Sequence, residues 1–174
     1  MRKKIIITSI SILIVLGICI AYLSIYGIKT DKFNDLINNK VKDFNSKLKL
    51  QTENIYIKLN LSERAININT KNANLIAEFN TIKISNIDIN LNLIKFLRNE
   101  SSIKNIKIES ASNLIKDVTS FLNTIDYNLF RYMFYTQIKE GLLDFKIDAK
   151  LDSKRQESLS YFISGSVRKA KLNI

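Results

Sequence analysis

Asn54–Leu93, NIYIKLNLSERAININTKNANLIAEFNTIKISNIDINLNL, decides the fold. Ile55, Ile57, Leu59 and Leu61 alternate with Tyr56, Lys58 and Asn60. A period of two puts apolar side chains on one face of a strand and polar ones on the other. Ile66 and Ile68 alternate with Asn67 and Asn69, Ala73, Leu75, Ala77 and Phe79 carry the pattern on, and Ile82 and Ile84 follow. At Ser85-Asn86 the phase slips and resumes with Ile87, Ile89, Leu91 and Leu93, as a bulge or bend in a long strand would produce. These segments predict half-buried strands, apolar on one side and wet on the other. Short polar breaks at Ser62-Glu63-Arg64 and Thr70-Lys71-Asn72 predict turns between consecutive antiparallel neighbours. With no Pro and only four Gly, Asn is expected to supply the left-handed turn residues.

Towards the C-terminus, Ile103, Ile106 and Ile108 read as one more strand. Between Ser110 and Lys139 the helical period returns. Leu114, Ile115, Val118, Phe121, Leu122 and Ile125 form one stripe, and Leu129, Phe130, Met133, Phe134 and Ile138 another, with Tyr127, Tyr132 and Tyr135 beside it. A helical hairpin packed on the sheet accounts for both, with Gly141 as its stop. Leu143, Phe145, Ile147, Ala149 and Leu151 then alternate with Asp144, Lys146, Asp148 and Lys150. A polar turn at Asp152 to Glu157 precedes a return strand through Leu159, Tyr161, Ile163, Gly165 and Val167, and Leu172 and Ile174 read as the opening of a further strand. A pattern that runs out in mid-strand implies an open sheet edge. Either the chain is part of a longer protein, or the edge meets a partner.

Towards the N-terminus, Thr30 or Asp31 can cap a helix whose apolar stripe is Phe33, Leu36, Ile37, Val41, Phe44 and Leu48. Its opposite face carries Lys32, Asp35, Asn39, Lys42 and Asp43, so the helix either lies on a membrane surface, closes the end of the sheet or packs into the core. Before it, Ile5 to Ile28 holds 24 residues without a charge. As a helix this run would extend ~36 Å, enough to cross a hydrocarbon layer of ~30 Å. Ile5, Leu13, Leu16, Leu23 and Ile28 mark out the expected anchor. Arg2, Lys3 and Lys4 precede it, and the mixed charges of Lys29, Asp31, Lys32 and Asp35 follow. The positive-inside rule then places residues 1–4 in the cytoplasm and residues 29–174 across the membrane. A cleaved signal peptide would need a small-x-small site, for which Cys19-Ile20-Ala21 is the candidate, but the apolar run continues past it. A lipid-modified Cys19 would need a small residue before it, where Ile18 stands.

The composition narrows the chemistry. Of 174 residues, 46% are hydrophobic and 25% charged, which is not the balance of a disordered chain. There is no His and a single Cys, so Ser-His-Asp hydrolysis, Cys-His nucleophiles and His/Cys metal sites are excluded. No enzyme activity and no cofactor are expected. The net charge of +11 comes from thinly spread Lys and Arg, often beside Asn or an acid, as at Lys58, Lys83, Lys104, Lys107 and Lys146. That pattern predicts a solvated face and no nucleic-acid partner. Asp144 and Asp148 share a strand face, but Lys146 and Lys150 between and beside them suggest surface ion pairs and not a catalytic pair of carboxylates.

The order of parts, from basic tip and membrane helix to amphipathic helix and sheet, resembles the start of AsmA-like proteins of Gram-negative envelopes, relatives of YhdP and TamB. Two stretches carry the resemblance. In Thr81 to Ala111, Leu91, Leu93, Ile94, Phe96 and Leu97 match a strand and a short helical turn, and Ile103, Ile106 and Ile108 the next strand. The second runs from Glu140 to Ile174 and resembles the repeating hairpin of the family, with "ISGSV" in the return strand. Family members are several times longer, so the chain would correspond to an N-terminal portion. The resemblance implies an α+β protein of the inner membrane: one transmembrane helix, then a curved antiparallel periplasmic sheet, an open trough or half-barrel, with two or three packed helices. It also implies a part in phospholipid transport between membranes and in outer-membrane biogenesis, with membrane phospholipids as partners.

In such a trough, Ile55, Ile57, Leu59, Ile66, Ile68, Ile82, Ile84, Phe145, Ile147 and Ile163 are the candidate lipid-facing residues. Each buried methylene would contribute ~0.8 kcal/mol. Two other readings stand beside it. The same side chains can pack beneath the helices as an ordinary core. The open edge can instead pair with a strand of another envelope protein.

Overall fold

The computed structural model describes residues 2–32, 34–98, 100, 103–125, 138–151 and 159–172. Helix α1 (Arg2–Ile25) leads into strand β1 (Ile28–Thr30), helix α2 (Asn34–Phe44), and strands β2 (Leu48–Gln51), β3 (Ile55–Asn60), β4 (Ala65–Ala77) and β5 (Asn80–Asn92). The short helix α3 (Leu93–Leu97), strands β6 (Ile103–Ser110) and β7 (Asn113–Leu114), helix α4 (Ile115–Ile125), and the long strands β8 (Ile138–Leu151) and β9 (Leu159–Leu172) follow. Among the described residues, nine strands form one curved antiparallel sheet that does not close into a barrel. β3 and β2 lie end to end along the same side of β4, and β6 and β7 do the same along β8. The expected α+β class and sheet are therefore present.

Period-two reading locates most strands but misplaces their ends. Thr70-Lys71-Asn72 is not a turn, because β4 runs straight through it and pairs with β5 from Ala65↔Asn92 to Ala77↔Asn80. Instead, Asn72 takes a left-handed φ of 54° and shifts the alternation by one residue. The expected slip in β5 lies opposite, where the β5–β6 register shifts between Ile84 and Asn86. The Ser85 hydroxyl there donates to the Glu109 and Ser110 carbonyls, at 2.9 and 3.2 Å. Because both strands slip at facing positions, Ile66, Ile68, Ala73 and Leu75 keep apolar partners in Leu91, Ile89, Ile84 and Ile82.

Other expectations change for local reasons. Phe79 belongs to a two-residue hairpin turn with Glu78 and is 98% exposed. Among the described residues, the left-handed non-glycine positions are Arg64, Asn72, Glu78 and Lys169, so Asn does only part of the expected turn work there. Leu93 opens α3, where the Asn92 side chain caps the amides of Ile94 and Lys95. Leu48 begins β2 and is not the last residue of the amphipathic helix. Leu114 lies exposed in β7, ahead of α4. Ile138 starts β8, and Gly141 sits within that strand, at the register shift between Glu140 and Leu142, instead of ending a helix. Leu172 belongs to β9 itself, which is one long strand. Phe33, the aromatic segment Tyr127–Tyr135 with Leu129, Phe130, Tyr132, Met133 and Phe134, the turn Asp152–Glu157, and Ile174 lie outside the described residues.

The core forms where α4 crosses the sheet. Val118 and Phe121 of α4 bury with Leu48, Ala73, Ala77, Ile82, Ile84 and Ile87, and Val41 of α2 packs against the same cluster. Of the readings open for the amphipathic helix, core packing accounts for Val41. Asn113 makes the crossing possible: its side chain accepts from the Lys83 amide at 2.8 Å and donates to the Lys83 carbonyl at 3.0 Å. It therefore satisfies, inside the protein, the backbone that β6 no longer pairs.

Polar ties hold β9 to its neighbours. Arg168 bonds Asp144 at 2.6 Å, while Ser112 donates to the same carboxylate at 2.6 Å. Lys171 bonds Glu140 at 2.7 Å. The Ser112 hydroxyl and then Arg168 hold the Asp144 carboxyl below its ordinary value, and the Lys171 ammonium does the same to Glu140.

Two outcomes follow. In denaturant titrations of the detergent-solubilised chain, Phe121→Ala should cost about 3–5 kcal/mol. Leu114→Ala, on the same sequence stripe but exposed, should stay within about 0.5 kcal/mol. A depressed carboxylate stabilises the fold above its unfolded pKa and stops doing so as pH falls through its folded one. Amide exchange protection in β9 should therefore drop on acidification below about pH 4, and Arg168→Ala should remove part of that drop.

Candidate functional site

Strand pairing joins the apolar residues into rows across the sheet. One row runs Ile55, Thr70, Ile87, Ile108, Ile147, Ile163, and the next runs Ile28, Ile57, Ile68, Ile89, Ile106, Ala149, Tyr161. A third joins Leu59, Ile66, Leu91 and Ile103. Directly paired residues point to the same side of a sheet, so the rows make one face. At strand spacings of ~4.8 Å the second row is roughly 29 Å long.

That face has two halves. Around Ile82 and Ile84, 3% and 2% exposed, α4 closes it. These two are ordinary core and are not open to a ligand, and Phe145 packs against the same cluster. Ile55 is fully buried. Ile57, Leu59, Ile66, Ile68 and Ile147 are only half-buried and lie outside the α4 cluster among the described residues, as do Leu91 and Ile106. Ile163, on β9, is 59% exposed. The ten candidates thus share a face but divide into a sealed part and an open part. Leu91 and Ile106 belong to the open part and were not among the candidates, although their alternation with Asn90 and Asn105 marks them equally well.

The opposite face is a polar lattice. Asn69 donates to Asn86 at 2.7 Å and to Asp88 at 2.5 Å, and Asn90 donates to Asn105 at 2.6 Å. Lys146 bonds Glu109 at 2.8 Å, and Lys107 lies 3.8 Å from Asp148. Asp144 and Asp148 therefore do sit in surface ion pairs, with partners on neighbouring strands instead of Lys146 and Lys150. A cavity of about 660 Å³ lies on this polar side, lined by Lys29, Tyr56, Lys58, Asn69, Lys71 and Asp88. Among the described residues, no group of three His, Cys, Asp or Glu side chains could hold a metal ion.

Helix α1 reaches the face directly. α1 is long and apolar enough to cross a membrane, with Ile5, Leu13 and Leu16 exposed along it and Leu23 half-buried near its end. Ile28 is not part of the helix, which stops at Ile25: it enters β1 and pairs with Ile57. Gly27 ends the helix with φ 71°, and a Cβ there would stand 2.7 Å from the Tyr56 ring. Only glycine fits both demands. The Tyr56 hydroxyl donates to the Tyr26 carbonyl and closes the junction. Comparison with family models, curated proteins and solved structures finds no match to this chain.

Proposed function

We propose that the chain is a single-pass inner-membrane protein of the AsmA-like type that carries acyl chains of phospholipids on the open apolar half of its sheet. The observation that supports this most is the row Ile28–Ile57–Ile68–Ile89–Ile106, which begins at the third residue after α1 and leads away from it, with Ile89 bordering the α4 cluster and Ile57, Ile68 and Ile106 outside it. Acyl chains laid on half-buried Ile and Leu remove apolar area from water while headgroups stay solvated. The role would be phospholipid transport between membranes, in support of outer-membrane biogenesis. Arg2, Lys3 and Lys4 favour a cytoplasmic N-terminus and a periplasmic sheet.

A second reading rests on β9. It pairs with β8 from Ile138↔Leu172 to Leu151↔Leu159, and among the described residues nothing pairs with its other edge. Tyr161, Phe162 and Ile163 are exposed there. An edge of this length would take a strand from another envelope protein by extending the sheet.

A photo-crosslinking residue placed in living cells separates the two. Substitution at Ile68 or Ile147 should yield a phospholipid adduct by mass spectrometry, and substitution at Asn67 or Lys146 on the polar face should not. A protein adduct at Phe162 with no lipid at Ile68 or Ile147 would favour the edge reading. Orientation is tested with Cys19→Ser combined with Phe79→Cys, because Cys19 is the sole cysteine. A membrane-impermeant maleimide should label the new thiol in spheroplasts without lysis. Labelling only after lysis would place the sheet in the cytoplasm.

A further inference from the structure

The end of the sheet beside the helix exit carries apolar side chains that the core does not use. Ile28 is level with Ile57, and three residues further in the direction of α1, β3 ends at Asn60, which pairs with Ala65 and through it with Asn92. α3 starts at the next residue, Leu93. None of its residues is buried, and Ile94, Phe96 and Leu97 are 41%, 50% and 73% exposed. Leu61, in the neighbouring turn, is exposed too. That turn and α3 are tied together, because the Leu93 amide donates to the Arg64 carbonyl at 2.9 Å. Lys95 and Arg98 stand among these apolar groups.

Aromatic residues fix the level of the membrane surface. Tyr22 and Tyr26 pack against each other at the end of α1, with ring centroids 5.4 Å apart and planes tilted by 37°, where amphipathic rings settle between hydrocarbon and water if α1 crosses a bilayer. Residues 26 and 59 occupy matching steps beyond the Ile28↔Ile57 pair, so the Tyr26 level crosses the sheet at Leu59, Ile66 and Leu91. α3 lies just past it, on the bilayer side.

We infer that α3 is a second membrane contact: Phe96 and Leu97 dip into the interface of the bilayer that α1 crosses, and Lys95 and Arg98 meet anionic lipid headgroups. Five residues are too few to bind a membrane alone, but α1 already holds them at its surface. With β1 fixed in the sheet, the two contacts orient the whole sheet relative to the bilayer. The inference rests on the anchor reading of α1 and not on lipid transport.

The absence of Trp from the chain supplies the test. Single reporters Leu13→Trp, Phe96→Trp and Phe79→Trp are made in the full chain and reconstituted in vesicles of phosphatidylethanolamine and phosphatidylglycerol. In separate preparations the acyl chains of these lipids are brominated near the headgroup, to reach the residue at position 96, or near the chain end, to reach the residue at position 13. Phe79 is at the far end of the β4–β5 hairpin and serves as the water control. The Phe96→Trp reporter should lose most of its emission and the Phe79→Trp reporter almost none, with the Leu13→Trp reporter confirming insertion. Adding Lys95→Glu and Arg98→Glu to Phe96→Trp should lessen the quenching. Quenching at Leu13→Trp with none at Phe96→Trp overturns this inference alone. No quenching at Leu13→Trp overturns the membrane anchor with it.

Discussion

The pairing of Ile28, Lys29 and Thr30 with Ile57, Tyr56 and Ile55 is the constraint on which the remaining structure depends. A membrane helix joined to a domain by a flexible linker leaves that domain free to take any orientation. Here two residues separate α1 from a strand of the sheet, one of them a glycine enclosed by Tyr56. The helix therefore determines where the first strand lies, and that strand determines the direction of every later one. A larger residue at position 27 would have to displace the Tyr56 ring or the β3 backbone, and either move would uncouple α1 from the sheet.

Continuity of the apolar face depends on a second coincidence. A one-residue slip in a single strand would turn its remaining apolar residues to the wet side. Asn72 and Ser85 slip at facing positions, so β4 and β5 change phase together and remain in register with each other. The cost falls on β6, whose pairing with β5 is interrupted there, and the Ser85 hydroxyl offsets it by bonding two β6 carbonyls. Beyond Ser110 the strand stops, and Asn113 takes over the Lys83 backbone so that α4 can cross and seal the far half.

How much of this the sequence discloses follows from the range of each signal. Alternation is local, so Ile55–Leu59, Ile87–Leu91 and Phe145–Ala149 are legible as strands without any tertiary knowledge. A polar triplet such as Thr70-Lys71-Asn72 reads as a turn because the paired slip that keeps it extended lies thirteen or more residues away in the chain. Ile28 reads as anchor because hydropathy does not register that Gly27 has ended the helix. Leu48 and Leu114 fit helical stripes by spacing, yet each is the first or last residue of a short strand flanking a helix, where boundary signals are weakest. Among the candidate residues, the sequence gathers one face correctly. Which half of it α4 covers depends on where that helix crosses, and no spacing encodes that.

The two halves of the face are not equivalent with respect to α1. Sealed positions such as Ala77 and Ile82 sit next to the Glu78-Phe79 hairpin, at the end of the sheet opposite the helix exit. The half-buried positions Ile57, Leu59, Ile66, Ile68 and Leu91 sit at the end beside it. A protein needing only a stable core gains most by covering the whole face, because each exposed methylene forgoes ~0.8 kcal/mol. Among the described residues, α4 covers the far end and leaves the apolar surface open at the end beside α1. On the proposed reading, that opening is the point at which an acyl chain would pass from hydrocarbon to protein without crossing water, and α3 would hold the opening against the membrane.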